Sequence, residues 1–79
     1  MAKRSPLIFT EEDQLELQRD RYEHSHPRVQ QRMEVLWLIS QGVGYGEAAR
    51  LAGVSPATGD RIVLMYRRGG VEALRQLNW

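Results

Sequence analysis

Net charge is unevenly distributed along this sequence, and its distribution is the first guide to the chemistry that the sequence can support. The formal net charge is only +1, but residues 35–79 contain five arginines and three acidic side chains. Residues 1–34 carry a net charge of −1. A region of net positive charge attracts anionic partners, so the second half carries the positive field that would favour nucleic acid.

Residues for catalysis, metal binding or cofactor binding are not arranged in a recognisable pattern. The sequence has no cysteine, no nucleophile–base pair, no carboxylate pair of suitable geometry and no phosphate-binding glycine loop after a strand. His24 and His26 are two residues apart, a spacing that does not place both side chains on one face of a helix. We therefore predict no enzymatic activity, no metal site, no cofactor and no small-molecule substrate.

The stretch that must position the arginines runs from Tyr45 to Arg68, and it predicts two helices joined by a tight turn. Small residues dominate the first helix, and Gly53 follows it as the usual left-handed stop. Ser55 is a good N-cap, and Pro56 is a good first residue because its missing N–H would have no partner within the helix. This order of elements indicates a helix-turn-helix at residues 45–68.

Other helices are expected on both sides of this unit. Residues 1–9 have no periodic pattern and are predicted to form a flexible arm, whereas residues 10–79 are predicted to form a single helical domain. Thr10 is a suitable N-cap for a first helix with a thin apolar stripe, and Pro27 begins a second, more apolar helix. Gly69-Gly70 is expected to end the fourth helix and to precede a short final one.

The composition is that of a soluble protein that works inside the cell. No apolar run approaches the roughly 20 residues that cross a bilayer, and the first residues lead into no signal-peptide core. We therefore expect a cytoplasmic location and no membrane partner. A chain of 79 residues has a modest core, so self-association as a homo-oligomer is one way to gain buried area.

Residues 28–77 resemble the N-terminal DNA-binding region of IS630-type transposases and their homeodomain-like relatives. The matching runs are RMEVLWLISQG from Arg32, EAARLAGVS from Glu47 and YRRGGVEALRQL from Tyr66. With the helices predicted above, this indicates an all-α fold: a small homeodomain-like helix-turn-helix bundle with an extra N-terminal helix and a short C-terminal helix. The resemblance also implies double-stranded DNA as the partner, read in the major groove by the second helix of the motif.

The resemblance gives roles to individual side chains. Ser55, Ala57 and Arg61 are the predicted base-reading residues, since arginine can bind guanine and a methyl group can contact thymine. Phosphate contacts are expected from basic side chains around them, namely Arg28, Arg50, Arg67, Arg68 and, on the arm, Lys3 and Arg4. Arg28 and Arg32 are one turn apart, so both are expected on the outer face of the second helix.

Two departures from the family pattern bear on function. The sequence ends at Trp79 without the acidic catalytic domain of such transposases, so the chain is expected not to cut DNA by itself. Gly59 and Asp60 stand where relatives tend to have a β-branched residue and a polar, aromatic or basic one. Gly within a helix costs about 1 kcal/mol relative to Ala, and Asp60 would face phosphates, so the recognition helix is expected to be weak.

Two functions are therefore predicted. The first is sequence-specific DNA binding, either as a transposase-derived regulator or as a stand-alone transposase DNA-binding domain, without catalytic activity. The alternative is a helix-turn-helix scaffold reused as a protein–protein interaction or oligomerisation module. Its apolar surface would come from Trp37, Leu64 and Trp79, together with Val63. The sequence leaves the DNA target and the oligomeric state open.

Overall fold

Four helices form within residues 7–76, which are the residues that the computed structural model describes. Their bounds are α1 (Glu11–Glu23), α2 (Pro27–Ser40), α3 (Tyr45–Ala52) and α4 (Pro56–Leu74). No strand occurs in this part of the chain, so the predicted all-α fold class is confirmed. None of these four helices is long and apolar enough to cross a bilayer. The predicted contacts of Lys3, Arg4 and Trp79 lie outside the described residues.

The N-terminal caps follow from the residue types that precede each helix. Thr10 caps α1 by accepting a hydrogen bond from the backbone N–H of Asp13 at 3.0 Å. The cap of α2 is His26, whose Nδ1 atom accepts from the backbone N–H of Arg28 at 3.2 Å. Gly44 precedes α3 and supplies no side-chain cap, so packing on the other helices must stabilise this short helix.

The helix α2 is the centre of the bundle, and it contacts each of the other three helices. Its inward side chains, Val29, Met33 and Leu36, are fully buried together with residues of α4. In α1, by contrast, only Leu17 and Asp20 are buried. Burial of apolar area drives the packing of α2 and α4, whereas α1 needs polar contacts in addition.

The helices α3 and α4 cross closely because small residues meet at the crossing. Gly53 lies between them with φ of 83°, in the left-handed region that the sequence predicts. Gly59 is buried, and a Cβ atom added there would lie 2.7 Å from the Cβ of Ala49. This glycine therefore faces α3 and permits the close approach of the two helices, a packing role that the sequence did not predict.

The C-terminal part of α4 continues past a kink at Gly70, which has φ of 68° and ψ of −160°. Only glycine adopts this conformation readily. Beyond the kink, Val71 and Leu74 are buried against the bundle. The short C-terminal helix that the sequence predicts is thus the last turn of α4 after a change of direction.

Two arginines attach this last turn to the rest of the molecule. Arg75 donates to Glu16 at 2.8 Å and to Asp20 at 2.9 Å, which joins α1 to the C-terminal turn. Arg32 donates to the backbone carbonyl of Leu74 at 3.1 Å and to that of Gln76. Arg32 is only 8% exposed, so its prediction as an outer-face residue of α2 is wrong.

Candidate nucleic-acid interface

The outer face of α4 is the longest exposed helical surface of the helix-turn-helix. Its exposed residues recur at intervals of three and four, namely Ala57, Asp60, Arg61, Leu64 and Arg68. This spacing places them on one side of a helix. The opposite side, which includes Ile62, Met65 and Tyr66, is buried in the core. Packing of the inner side therefore fixes the direction in which the outer side chains point.

Two of the three predicted base-reading residues have side chains available on this face. Ala57 and Arg61 are exposed, and among residues 7–76 no carboxylate lies within ion-pair distance of the Arg61 guanidinium. The third, Ser55, is also exposed, but its Oγ accepts from the backbone N–H of Thr58 at 3.1 Å and donates to Thr58 Oγ1 at 3.0 Å. Its hydroxyl is thus engaged as the N-cap of α4.

The predicted phosphate-binding arginines fall into two groups. Arg28 at the start of α2 and Arg68 on α4 are exposed, and neither forms an ion pair within the described part of the chain. Arg50 forms a salt bridge with Glu47 one turn earlier on α3. Arg67 is exposed and donates to the hydroxyl of Tyr45 at 3.3 Å. The first group therefore offers the less compensated positive charge.

The residues predicted for a protein interface are placed differently from one another. Trp37 is partly buried, and the Arg21 guanidinium covers its ring at 3.7 Å from the centroid. Leu64 is 44% exposed on the outer face of α4. Val63 is buried, so its assignment to an exposed apolar patch is wrong. Of the apolar side chains in this proposal that the structure describes, Leu64 is the one open to a partner.

The histidines are engaged with the backbone at the α1–α2 junction. Nδ1 of His24 accepts from the backbone N–H of His26 at 3.1 Å, and His26 caps α2 as described above. Within residues 7–76 there is no group of three or more His, Cys, Asp or Glu side chains with the geometry of a metal site.

Tyr66 carries a polar contact that sequence reasoning missed. Its hydroxyl lies in the core side of α4 and donates to Asp13 Oδ2 at 2.7 Å, with the carbonyl of Ile8 at 3.2 Å. Burial raises the pKa of this phenol well above its ordinary value, and the negative charge of Asp13 raises it further. The ring of Phe9 stacks on the Tyr66 ring with centroids 5.2 Å apart. Residues 53 or more positions apart make these contacts, so no local pattern reports them.

Comparison with known proteins agrees with this architecture. A family profile described as a homeodomain-like domain matches residues 26–75, a range that contains α2, α3 and α4 but not α1. Searches of curated proteins and of solved structures find no significant match. The profile covers more than half of the sequence and coincides with the helix-turn-helix and the helix that supports it. The chain therefore belongs to the homeodomain-like domain family.

Proposed function

We propose that this protein binds double-stranded DNA in a sequence-specific manner, with the N-terminal half of α4 in the major groove. The observation that carries the proposal is the exposed outer face of α4, on which the Arg61 guanidinium has no ion-pair partner among residues 7–76. A helix presented by a helix-turn-helix can enter the major groove, where arginine binds the O6 and N7 atoms of guanine.

The other side chains on this face complete the proposed readout. In this proposal Ala57 and Leu64 would contact thymine methyl groups, and Asp60 would accept a hydrogen bond from the amino group of cytosine. The hydroxyl of Ser55 is engaged as the N-cap of α4. We therefore propose that Ser55 orients the helix and does not contact a base directly. Arg28 and Arg68 would contact phosphates, with Arg50 and Arg67 as further cations.

The position of Gly59 supports the proposal. The near-neutral charge and the Gly59-Asp60 pair favour a protein-binding scaffold, but Gly59 packs against Ala49, so its presence is explained by helix packing and does not count against DNA binding. We further propose that the protein is transposase-related, acting as a small regulator or as a transposase DNA-binding domain. A cytoplasmic location is part of the same proposal.

The proposal assigns no catalytic residue. Asp20 and Glu16 are paired with Arg75 and Glu34 with Arg21, and residues 7–76 contain no group of three or more His, Cys, Asp or Glu side chains that could hold a metal ion. We expect no nicking of supercoiled plasmid during incubation with the protein and Mg²⁺ or Mn²⁺. Metal-dependent conversion to open circular or linear DNA would contradict this part of the proposal.

The decisive experiment is fluorescence anisotropy with random and selected duplexes at several salt concentrations. Selection from a randomised duplex pool should enrich a short site, and Arg61→Ala should weaken binding to it by about tenfold or more, as expected for a bidentate contact with guanine. Arg19→Ala is the matched control, because it removes one exposed arginine from α1. Equal losses in the two variants, or no binding at low salt, would argue against the proposal.

A second candidate function is homo-oligomerisation or protein binding through α4, favoured by the exposure of Leu64 beside Asp60. Sedimentation equilibrium tests it. A stable dimer that dissociates in Leu64→Gln but not in Leu15→Gln, which alters an exposed leucine of α1, would support this alternative. A monomer at all concentrations would remove it.

A further inference from the structure

A groove between α2 and α4 collects positive charge beside the proposed DNA-binding face. It encloses about 260 Å³, which is just below the size of pockets that hold drug-sized ligands, roughly 300 Å³ and more. Three arginines line it, Arg28 and Arg32 from α2 and Arg61 from α4. No Asp or Glu is among the described residues that line it.

The positive charge in this groove is not compensated by protein carboxylates. Arg32 is bound by backbone carbonyls rather than by an acid, and among residues 7–76 neither Arg28 nor Arg61 forms a salt bridge. Burial lowers the pKa of Arg32, and the nearby charge of Arg28 lowers it further. The repulsion between Arg28 and Arg32, which are one turn apart on α2, indicates a positive electrostatic potential on this side of the groove.

Polar groups of the groove suit a small oxyanion. The side chains of Gln31 and Thr58 also line it, and an amide N–H or a hydroxyl donates to anionic oxygen. The Thr58 hydroxyl oxygen already accepts from Ser55, which leaves its own hydrogen free to donate. Guanidinium groups bind phosphate oxygens in a planar, charge-assisted geometry.

We infer that the groove between α2 and α4 is a phosphate-type oxyanion site in which Arg28 and Arg61 act together on one anion. The oxyanion can be a free phosphate or a phosphodiester of the DNA backbone. In the second case Arg61 contacts the backbone instead of a base. The inference does not depend on the proposed DNA binding, because free phosphate is a sufficient probe.

The test is a titration with inorganic phosphate at constant ionic strength, followed by amide chemical shifts. Saturable shifts are expected at Arg28, Val54 and Thr58 in the wild type. Arg28→Gln and Arg61→Gln should each weaken phosphate binding by about tenfold or more, since each removes a charge-assisted hydrogen bond. Arg19→Gln is the matched control, because Arg19 is an exposed arginine of α1 outside the groove, and should leave phosphate binding within twofold.

Two results would overturn the inference. One is a wild-type response to phosphate that matches an ionic-strength control with chloride. The other is an equal loss in Arg19→Gln, which would show that only overall charge matters. Circular dichroism of each variant confirms that the exposed substitutions leave the helices intact.

A duplex-competition arm identifies the source of the anion. If phosphate displaces duplex DNA from the wild type but not from Arg28→Gln, the site binds a backbone phosphodiester. If phosphate and duplex bind together, the site serves a free phosphate. Either result supports the inference. If the wild type binds phosphate but does not bind duplex DNA, the proposed function is rejected and the inference about the groove stands.

Discussion

At the scale of single residues, Gly59 shows how one missing methyl group determines a helix crossing. A Cβ there would lie 2.7 Å from the Cβ of Ala49, closer than real Cβ atoms approach. The backbone of α4 can pack against α3 only because this position has no side chain. The contribution of Gly59 is therefore to the fold, although its place in a recognition helix suggests a role in binding.

We predict that Gly59→Ala destabilises the protein although alanine favours helix formation. Overpacking costs about 1–3 kcal/mol, which exceeds the gain in helix propensity of about 1 kcal/mol. Gly46→Ala in α3 is the control, because a Cβ there meets nothing within 4 Å. This variant should gain up to about 1 kcal/mol. Urea unfolding of both variants measures the difference, and a more stable Gly59→Ala protein would contradict the packing argument.

Tyr66 is the second residue whose role comes from a distant partner. Tyr66→Phe should lower the free energy of unfolding by about 1–3 kcal/mol, because it removes a partly buried hydrogen bond to the Asp13 carboxylate. Tyr22→Phe removes a hydroxyl from an exposed ring and should change stability by less than about 0.5 kcal/mol. Thermal unfolding at neutral pH compares the two, and equal effects would exclude a specific role for the Tyr66–Asp13 contact.

The same contact predicts a loss of stability in alkali. The folded-state pKa of Tyr66 is raised above its ordinary value of 10.0, so the stabilisation is complete below pH 10 and declines as the pH rises toward the folded-state pKa. Denaturant unfolding between pH 9 and pH 11 should show this decline in the wild type and a smaller one in Tyr66→Phe. A parallel decline in both proteins would assign the effect to other groups.

At the scale of elements, α1 is held to the domain by a different kind of contact from the other helices. It buries Leu17 as its one apolar side chain within the core, and Leu15 and Tyr22 are largely exposed. Ion pairs supplement this packing, since Arg75 in the C-terminal turn binds Glu16 and Asp20 of α1. The family profile begins after α1. This helix is therefore an addition to the homeodomain-like unit, and polar contacts hold it in place.

We expect α1 to separate from the bundle first when the pH falls. Burial would raise the pKa of Asp20, but hydrogen bonds and charge from Arg19 and Arg75 outweigh it and hold the pKa below 3.8. The stabilisation is therefore complete above the unfolded-state pKa and is lost as the pH falls through the lower folded-state pKa. Below pH 4, the α1 amides should lose protection, so that their hydrogen exchange accelerates relative to the intrinsic rate at the same pH. Asp20→Asn should make the α1 amides exchange faster at neutral pH.

Arg19→Gln provides the comparison for the acid prediction. It removes the more exposed partner of Asp20, whereas Arg75→Gln removes the partner that also contacts Glu16 and Glu72. Exposed ion pairs contribute little, so Arg19→Gln should affect α1 less than Arg75→Gln. Equal protection of the α1 and α2 amides from hydrogen exchange at every pH would show that α1 does not open independently.

At the scale of the whole molecule, the small net charge limits the electrostatic part of DNA binding. Many basic side chains are already occupied, as Arg32 is by carbonyls and Arg21 and Arg75 are by acids. Within residues 7–76, Arg28, Arg61 and Arg68 are exposed without a salt bridge. Arg50 and Arg67 are further exposed cations, although each has a partner within the chain. One copy therefore offers a moderate number of phosphate contacts.

A plot of log K against log salt concentration should accordingly have a shallow slope. Three to five phosphate contacts give a slope of about −3 to −5. Isothermal titration or anisotropy with a short duplex measures it, and Arg68→Gln should make it shallower by about one. A slope near −10 would require more cations than these five arginines supply, and would indicate that two copies bind together.

The helix-turn-helix itself was predictable from local sequence because its signals are local. Gly53 in a left-handed turn and Ser55 before Pro56 act within a few residues, and both are found as expected. The pair Gly69-Gly70, expected to end the fourth helix, coincides with the kink at Gly70 after which α4 changes direction. The hydrophobic period predicted which sides of α2 and α4 face inward. It left the orientation of Val63 undecided and placed Arg32 on the wrong side of α2.

Tertiary structure decided the roles that depend on residues far apart in the sequence. Only the crossing of α3 and α4 shows that Gly59 faces Ala49, and only the fold brings Arg32 to the carbonyls of Leu74 and Gln76. Arg28 and Arg61 lie 33 positions apart, yet they line one groove. Local sequence determines how each segment folds and which side is apolar. The partners of a polar side chain depend on how the segments pack, which no local pattern contains.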